Sequence, residues 1–322
     1  MILNRDLYFE RLQQAQQPFQ RHYLAMYSSL AGGIVTDPLL MSIPLDDHLV
    51  HRGDGVFEMF KCLDGGIYNL KAHLERLQAS SGTIGLALPQ SPAQMQQTVI
   101  ETIRAACVRD CAVRVFVSRG PGSFGVNPYD CPASQLYVIV SVLPPAFMTA
   151  HPQGATVITS AIPIKHPFFA TMKNCNYLPN VLMKKEAIDA GADFSVAFDA
   201  SGHLAEGATE NVGIVSEAGA LVCPRLGNVL CGTTMSRALE LAKTLVAEGV
   251  LQKAGYDDIT RDEIRLAREM LIFGTTTDVT FVRRFDARDM PGHRPVFEAL
   301  SRLLLDDIHN STAHRTPIDP AA

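Results

Sequence analysis

Along some stretches of the chain, hydrophobic and polar positions alternate. Along others they recur at helical spacing, and each change of rhythm marks an element. Val56-Phe57-Glu58-Met59-Phe60-Lys61-Cys62 alternates and predicts a strand. Asp64-Gly65-Gly66 supplies the positive-φ residues of a hairpin, and Ile67 to Leu70 returns as the second strand. From Lys71 to about Leu86 the rhythm becomes helical, with Leu74, Leu77 and Ile84 on compatible faces. A second helix is predicted from Pro92 to Cys107, with Ser91 as N-cap and the proline in the first turn, where its missing N–H costs nothing. Ala112 to Ser118 and Gln135 to Leu143 are predicted strands, separated by the Gly/Pro-rich loop Arg119 to Pro128. Upstream, residues 5–17 form a polar, peripheral helix. Met26 to Leu30 forms a strand, and His51-Arg52-Gly53-Asp54-Gly55 forms a turn.

At Pro144-Pro145 a strand-like run gives way to a weakly periodic segment, and the domain boundary is placed there. The expected division is an N-terminal α/β domain over 1–145, a linker over 146–154 and a C-terminal domain over 155–322. The second half predicts strands at Thr156 to Ser160, Phe194 to Asp199, Gly213 to Val215, Ala220 to Cys223 and Met270 to Phe273. Helices are predicted up to Ala190, from Gly232-Thr233-Thr234 onward, near Arg261 to Arg268 and from Val296 to Ile308. The fold class is therefore mixed α/β in two domains.

Composition narrows the classes. A chain of 322 residues with 47% hydrophobic and 19% charged content is that of an ordinary globular protein, which excludes disordered and collagen-like classes. A formal charge of −5 without a dense Lys/Arg cluster argues against nucleic acid as a partner. Seven scattered cysteines without CxxC spacing indicate neither a disulfide framework nor a zinc site, so no metal is expected and a reducing cytoplasm fits. Arg5, Asp6, Glu10 and Arg11 interrupt the N-terminus where a signal peptide needs an apolar core. The longest apolar tract, Leu136 to Met148, is too short and too broken to span a bilayer, so no membrane is expected.

Several residues could carry chemistry. Lys173, between two apolar segments, is either a solvated loop charge or a reactive amine. Gly232-Thr233-Thr234 at a helix N-terminus is either an ordinary cap or a seat for an anion, because unpaired N–H groups and the helix dipole favour negative charge there. Gly274-Thr275-Thr276-Thr277 after a strand is a second cluster of that kind. Glu206, flanked by small residues, is either a surface charge or an inward carboxylate. Tyr177, four residues after Lys173, reads from the residues alone as plain core.

Six segments in order bear on these alternatives: 51–58, His73-Leu74-Glu75-Arg76-Leu77, Lys173 to Asn180, Glu206-Gly207-Ala208-Thr209-Glu210-Asn211, Gly232-Thr233-Thr234 and Gly274-Thr275. Together they resemble the fold type IV pyridoxal-phosphate enzymes. These are the class IV aminotransferases, including branched-chain aminotransferases, D-amino acid transaminases and 4-amino-4-deoxychorismate lyases. The resemblance covers about residues 42–305. It implies a smaller N-terminal α/β domain, a larger pseudo-barrel C-terminal domain and a homodimer. Lys173 would form the aldimine with pyridoxal 5'-phosphate, Glu206 would pair with the ring nitrogen, and Tyr177 would bond the phenolic oxygen. Arg76, Thr233, Thr234 and Thr275 would seat the phosphate.

The resemblance further implies transfer of an amino group between an amino acid and a 2-oxo acid. The lyase reaction, which gives pyruvate and p-aminobenzoate, is the alternative. A catalytically silent binding protein ranks last, because Lys173, Glu206 and Arg76 are all present. Two departures bear on the substrate. After Arg119-Gly120 the chain lacks the Arg-x-His pair of bacterial-type D-amino acid transaminases. Glu58-Met59-Phe60-Lys61 replaces the Glu-Gly-Ile/Val-Arg of branched-chain enzymes. Arg52, Lys61 and Arg119 are the cations considered for the substrate carboxylate, each being otherwise a surface charge or a structural pair.

Overall fold

The computed structural model describes residues 1–319. In chain order the strands are β1 Tyr23–Ser28, β2 Gly33–Val35, β3 Gly55–Leu63, β4 Gly66–Tyr68, β5 Cys111–Ser118, β6 Gln135–Ser141, β7 Ala155–Thr159, β8 Phe194–Phe198, β9 Leu204–Gly207, β10 Asn211–Val215, β11 Ala220–Pro224, β12 Lys253–Asp257, β13 Glu269–Gly274, β14 Asp278–Phe285, β15 Arg288–Asp289 and β16 Arg315–Pro317. The helices are α1 Arg5–Gln14, α2 His48–Arg52, α3 Leu70–Thr83, α4 Pro92–Ala105, α5 Phe147–Ala150, α6 Pro167–Ala170, α7 Leu178–Asp189, α8 Thr233–Ala247, α9 Arg261–Leu266 and α10 Pro295–Asn310.

These elements form two compact units. Met1–Leu143 together with the segment from Arg315 makes the first, and Pro144–His314 makes the second. The expected linker and C-terminal extent differ from this division. Residues 146–154 include α5, whose Phe147 ring lies 4.9 Å from that of Phe194, so aromatic burial ties this segment into the second unit. At the other end, β16 pairs antiparallel with β4, and Ile318 is buried in the core of the first unit.

In the first unit a seven-stranded sheet runs β16-β4-β3-β5-β6-β1-β2. The alternation around Val56 sends Val56 and Phe60 inward, where they meet Leu74 and Leu77 of α3 and Met95, Val99 and Ile103 of α4. Ser91 caps α4 by accepting from the Gln94 N–H in a capping box, as its sequence predicts. The predicted turn at His51 is instead the end of α2, where Asp47 accepts from the Leu49 N–H and Gly53 stops the helix at φ 65°.

The second unit is a mixed sheet that closes on itself. β10, β13, β14, β7, β8 and β9 pair in succession, and the ring is completed where β9 meets β10 at a single residue pair, Glu206 with Asn211. β11 and β12 extend the sheet beyond the ring. Val157, Val196, Val212, Ile214, Ile272 and Val282 belong to its core. Strands β9, β12, β14 and β15 lie outside the predicted set: β9 is only four residues long, and β14 begins immediately after the Thr cluster. None of the described helices is long and apolar enough to cross a membrane.

Candidate active site

The seam that closes the ring carries the charged centre of the second unit. Lys173, Tyr177, Asn180, Glu206, Gly207, Ala208, Thr209, Glu210, Asn211, Leu230 and Lys165 line one cavity there. Lys173 lies in the short connection between α6 and α7. The connection is fixed by Asn174, 2% exposed, whose amide donates to the Phe169 carbonyl (3.2 Å) and accepts from the Asn176 N–H (3.0 Å). Lys173 Nζ donates to the Tyr177 hydroxyl across 3.3 Å. Tyr177 holds the N-cap position of α7, so the first turn of that helix fixes its ring.

Glu206 sits on β9 at the closing pair, and one of its oxygens accepts from the Leu230 N–H at 3.0 Å. The Leu230 carbonyl in turn accepts from the Asn211 side chain at 2.9 Å. Burial raises the pKa of the Glu206 carboxyl. The Leu230 N–H and the charges of Lys165 and Lys173 oppose that rise, while Glu210 adds to it. A carboxylate buried this deeply persists only with such partners.

Two anion-favouring clusters flank the seam. Gly232 is the N-cap of α8 with no side-chain cap bond, and Thr233 and Thr234 form its buried first turn. A Cβ on Gly232 would overlap the Asn211 amide oxygen, so only glycine brings this helix start against the seam. Thr275 lies in the turn between β13 and β14, where Phe273 pairs with Asn211 and a Cβ on Gly274 would meet Thr277 Oγ1 at 2.5 Å.

This donor set fits pyridoxal phosphate. Asn180 Oδ1 and Thr277 Oγ1 are buried polar atoms with no hydrogen-bond partner among the described residues, and Asn180 lines the cavity. An amine, a carboxylate, a phenolic hydroxyl and an uncapped helix start on one seam suit a polar anionic aldehyde with a basic ring nitrogen. Among the described residues no group of three or more His, Cys, Asp or Glu could hold a metal ion.

The other expected site residues lie in the first unit. Arg76 grips the fully buried Glu58 with both arms of its guanidinium, Nε and Nη2 each 2.7 Å from a carboxylate oxygen, and His73 Nδ1 lies 2.7 Å from the same group. Arg119 is bidentate on Asp54 at 3.0 Å and also donates to the Ile84 and Gly85 carbonyls. Arg52 donates to the carbonyls of His51, Phe124 and Gly125, which pins the loop after β5. Lys61 is 6% exposed within β3. Arg52 and Arg119 therefore have structural work in this unit, the alternative that the sequence held open for them.

Sequence reasoning assigned no role to Lys165, Asn180, Glu210 or Asn211. Asn180, Glu210 and Asn211 lie within motifs already singled out, whereas Lys165 has no spacing rule that marks it.

The family model described as amino-transferase class IV matches residues 55–285. The chain is 40% identical over 304 residues to the chloroplastic D-amino-acid transaminase of Arabidopsis thaliana, covering 94% of this chain and 80% of the relative. It is 31% identical over 257 residues to a putative branched-chain-amino-acid aminotransferase of Methanocaldococcus jannaschii, covering 80% of this chain and 87% of the relative. Among solved structures, a T.th. branched-chain amino acid aminotransferase complexed with N-(5'-phosphopyridoxyl)-L-glutamate superposes with a TM-score of 0.83 at 25% identity. That match covers 92% of this chain and 99% of that one.

Proposed function

We propose that this chain, which belongs to the class IV aminotransferases and is a pyridoxal-phosphate-dependent transaminase, works through Lys173 as its reactive amine and takes D-amino acids as amino donors. The observation that carries the assignment is the contact of Lys173 Nζ with the Tyr177 hydroxyl in the cavity that Glu206 also lines.

When bound, pyridoxal phosphate supplies an electron-accepting ring that makes the α-proton of an amino acid removable. Lys173 is the group that takes that proton and returns it, which requires its amine to be neutral for part of the cycle. Glu206 would hold negative charge for the ring nitrogen. Tyr177 would offer its hydroxyl to the phenolic oxygen, and it contacts the Lys173 amine. The α8 N-terminus with Thr233 and Thr234 and the Thr275 turn would hold the phosphate. Of the cations considered for the substrate carboxylate, Arg52 and Arg119 brace the loop that follows β5.

The D-preference is supported by the higher identity to a D-amino-acid transaminase, 40% against 31% for the branched-chain relative. The lyase alternative is not favoured, because these relatives carry transaminase names. A homodimer is supported by exposed Phe168, Phe169, Leu178, Val181 and Leu182 around α6 and α7, an apolar group that a second copy would cover. A reducing, cytoplasmic setting is supported by the seven free thiols.

The test is a substrate panel of D-amino acids, L-amino acids and 4-amino-4-deoxychorismate with pyruvate or 2-oxoglutarate as acceptor. Transfer from D-alanine or D-glutamate at a higher kcat/KM than from the L-enantiomers is expected. Preference for L-branched-chain donors, or release of p-aminobenzoate, would overturn the substrate assignment.

A further inference from the structure

A second lysine shares the cavity, and the mechanism above leaves it without a task. Lys165 lies between β7 and α6. Beside it, Ile164 packs with Ile162 against the buried cluster of Met183, Ala197 and Ala208. That anchorage fixes the backbone from which the lysine reaches the cavity. Its Nζ stands 5.0 Å from the centre of the Tyr177 ring, and no hydrogen-bond partner for it is found among the described residues. Lys173 Nζ is 5.8 Å from the same ring centre, so two amines address one phenol.

A half-buried ammonium without hydrogen bonds needs compensating charge. The groups that face it are the Tyr177 ring and the Glu206 carboxylate. Burial pushes the Lys165 amine toward its neutral form, and Glu206 is the charge that opposes this. The relationship is reciprocal. Glu206 has one hydrogen-bond donor among the described residues, the Leu230 N–H, and beyond it depends on Lys165 and Lys173 against the repulsion of Glu210. Lys173 must lose its charge for part of each turnover, whereas Lys165 is under no such demand.

We propose that Lys165 is a positioning residue of this site: seated over the Tyr177 ring and lining the same cavity as Glu206, it supplies a second positive charge that helps keep Glu206 a carboxylate while Lys173 changes its protonation. This rests on the assignment of Glu206 as the acid facing the ring nitrogen.

The experiment compares wild type, Lys165→Met and Lys165→Arg as holoenzymes. It follows the visible absorption of the bound cofactor from pH 5 to 10 alongside the pH profile of kcat, with Glu206→Gln as the control. Without the Lys165 charge Glu206 binds its proton more tightly, so in Lys165→Met the acid-side midpoint of both profiles should move up by about one unit. Lys165→Arg should return it to the wild-type position. An unchanged midpoint in Lys165→Met would overturn the proposal. So would a raised KM for the amino acid without a midpoint shift, which would make Lys165 a substrate contact. If Glu206→Gln itself retains wild-type turnover, the underlying assignment of Glu206 fails, a result separable from an unshifted Lys165→Met.

Discussion

Arg76 and Glu58 form a two-armed ion pair inside the first unit, with Nε on one carboxylate oxygen and Nη2 on the other, both at 2.7 Å. Burial would push the Glu58 carboxyl up. The Arg76 guanidinium, through its charge and its hydrogen bond, together with His73, outweighs burial and brings the pKa from 4.5 down to about 2. A depressed carboxyl stabilises the fold above its unfolded pKa, and that stabilisation is lost as pH falls from 4.5 toward about 2. Glu58→Gln should lose roughly 3 kcal/mol at neutral pH, because a neutral amide replaces the carboxylate between the Arg76 guanidinium and His73. Denaturant unfolding should show the variant and wild type converging as pH approaches the lower limit.

Removing the reactive amine gives the most direct chemical test. Lys173→Ala should fail to retain pyridoxal phosphate after borohydride reduction and dialysis, whereas wild type should carry it on the Lys173 peptide, as read by mass spectrometry. Labelled cofactor on any other lysine of the variant would contradict the assignment.

Glu206→Gln should keep much of the bound cofactor, since the phosphate seat is untouched, yet lose turnover by about a hundredfold or more. Cofactor titration measured beside kcat separates the two effects.

Gly232→Ala addresses the seam. The added methyl collides with the Asn211 amide oxygen and must push the α8 start away from the closing pair. Cofactor affinity should fall roughly tenfold, about 1.4 kcal/mol, in apoprotein titrated with pyridoxal phosphate. An unchanged affinity would separate the phosphate seat from this helix start.

Arg52→Ala should loosen the loop at Ser123 to Gly125, because its fork supplies bonds to the Phe124 and Gly125 carbonyls. Limited proteolysis should nick the loop faster. Arg52→Lys should be nicked just as fast, since an ammonium cannot span both carbonyls as a fork. A raised KM for the amino acid with unaltered proteolysis would instead favour Arg52 as a substrate contact.

Local period, caps and breaks were readable from the chain alone, because each depends on neighbours within a few residues. The Ser91 cap, the β3–β4 hairpin and the helix opening at Thr233 are such features. The order of six short segments likewise pointed to the family. Contacts between residues far apart in sequence were not readable. That Glu58 occupies Arg76, that Arg52 and Arg119 brace their own unit, and that β16 returns to the first sheet follow from pairings no local pattern encodes. The same holds at the seam. Lys173, Glu206 and Asn211 were visible as motif letters, but only ring closure at a single strand pair brings them to one cavity and draws in Lys165. Chemistry resided in the residue types, which sequence supplies. Their charge states depend on burial and proximity, which only the tertiary structure decides.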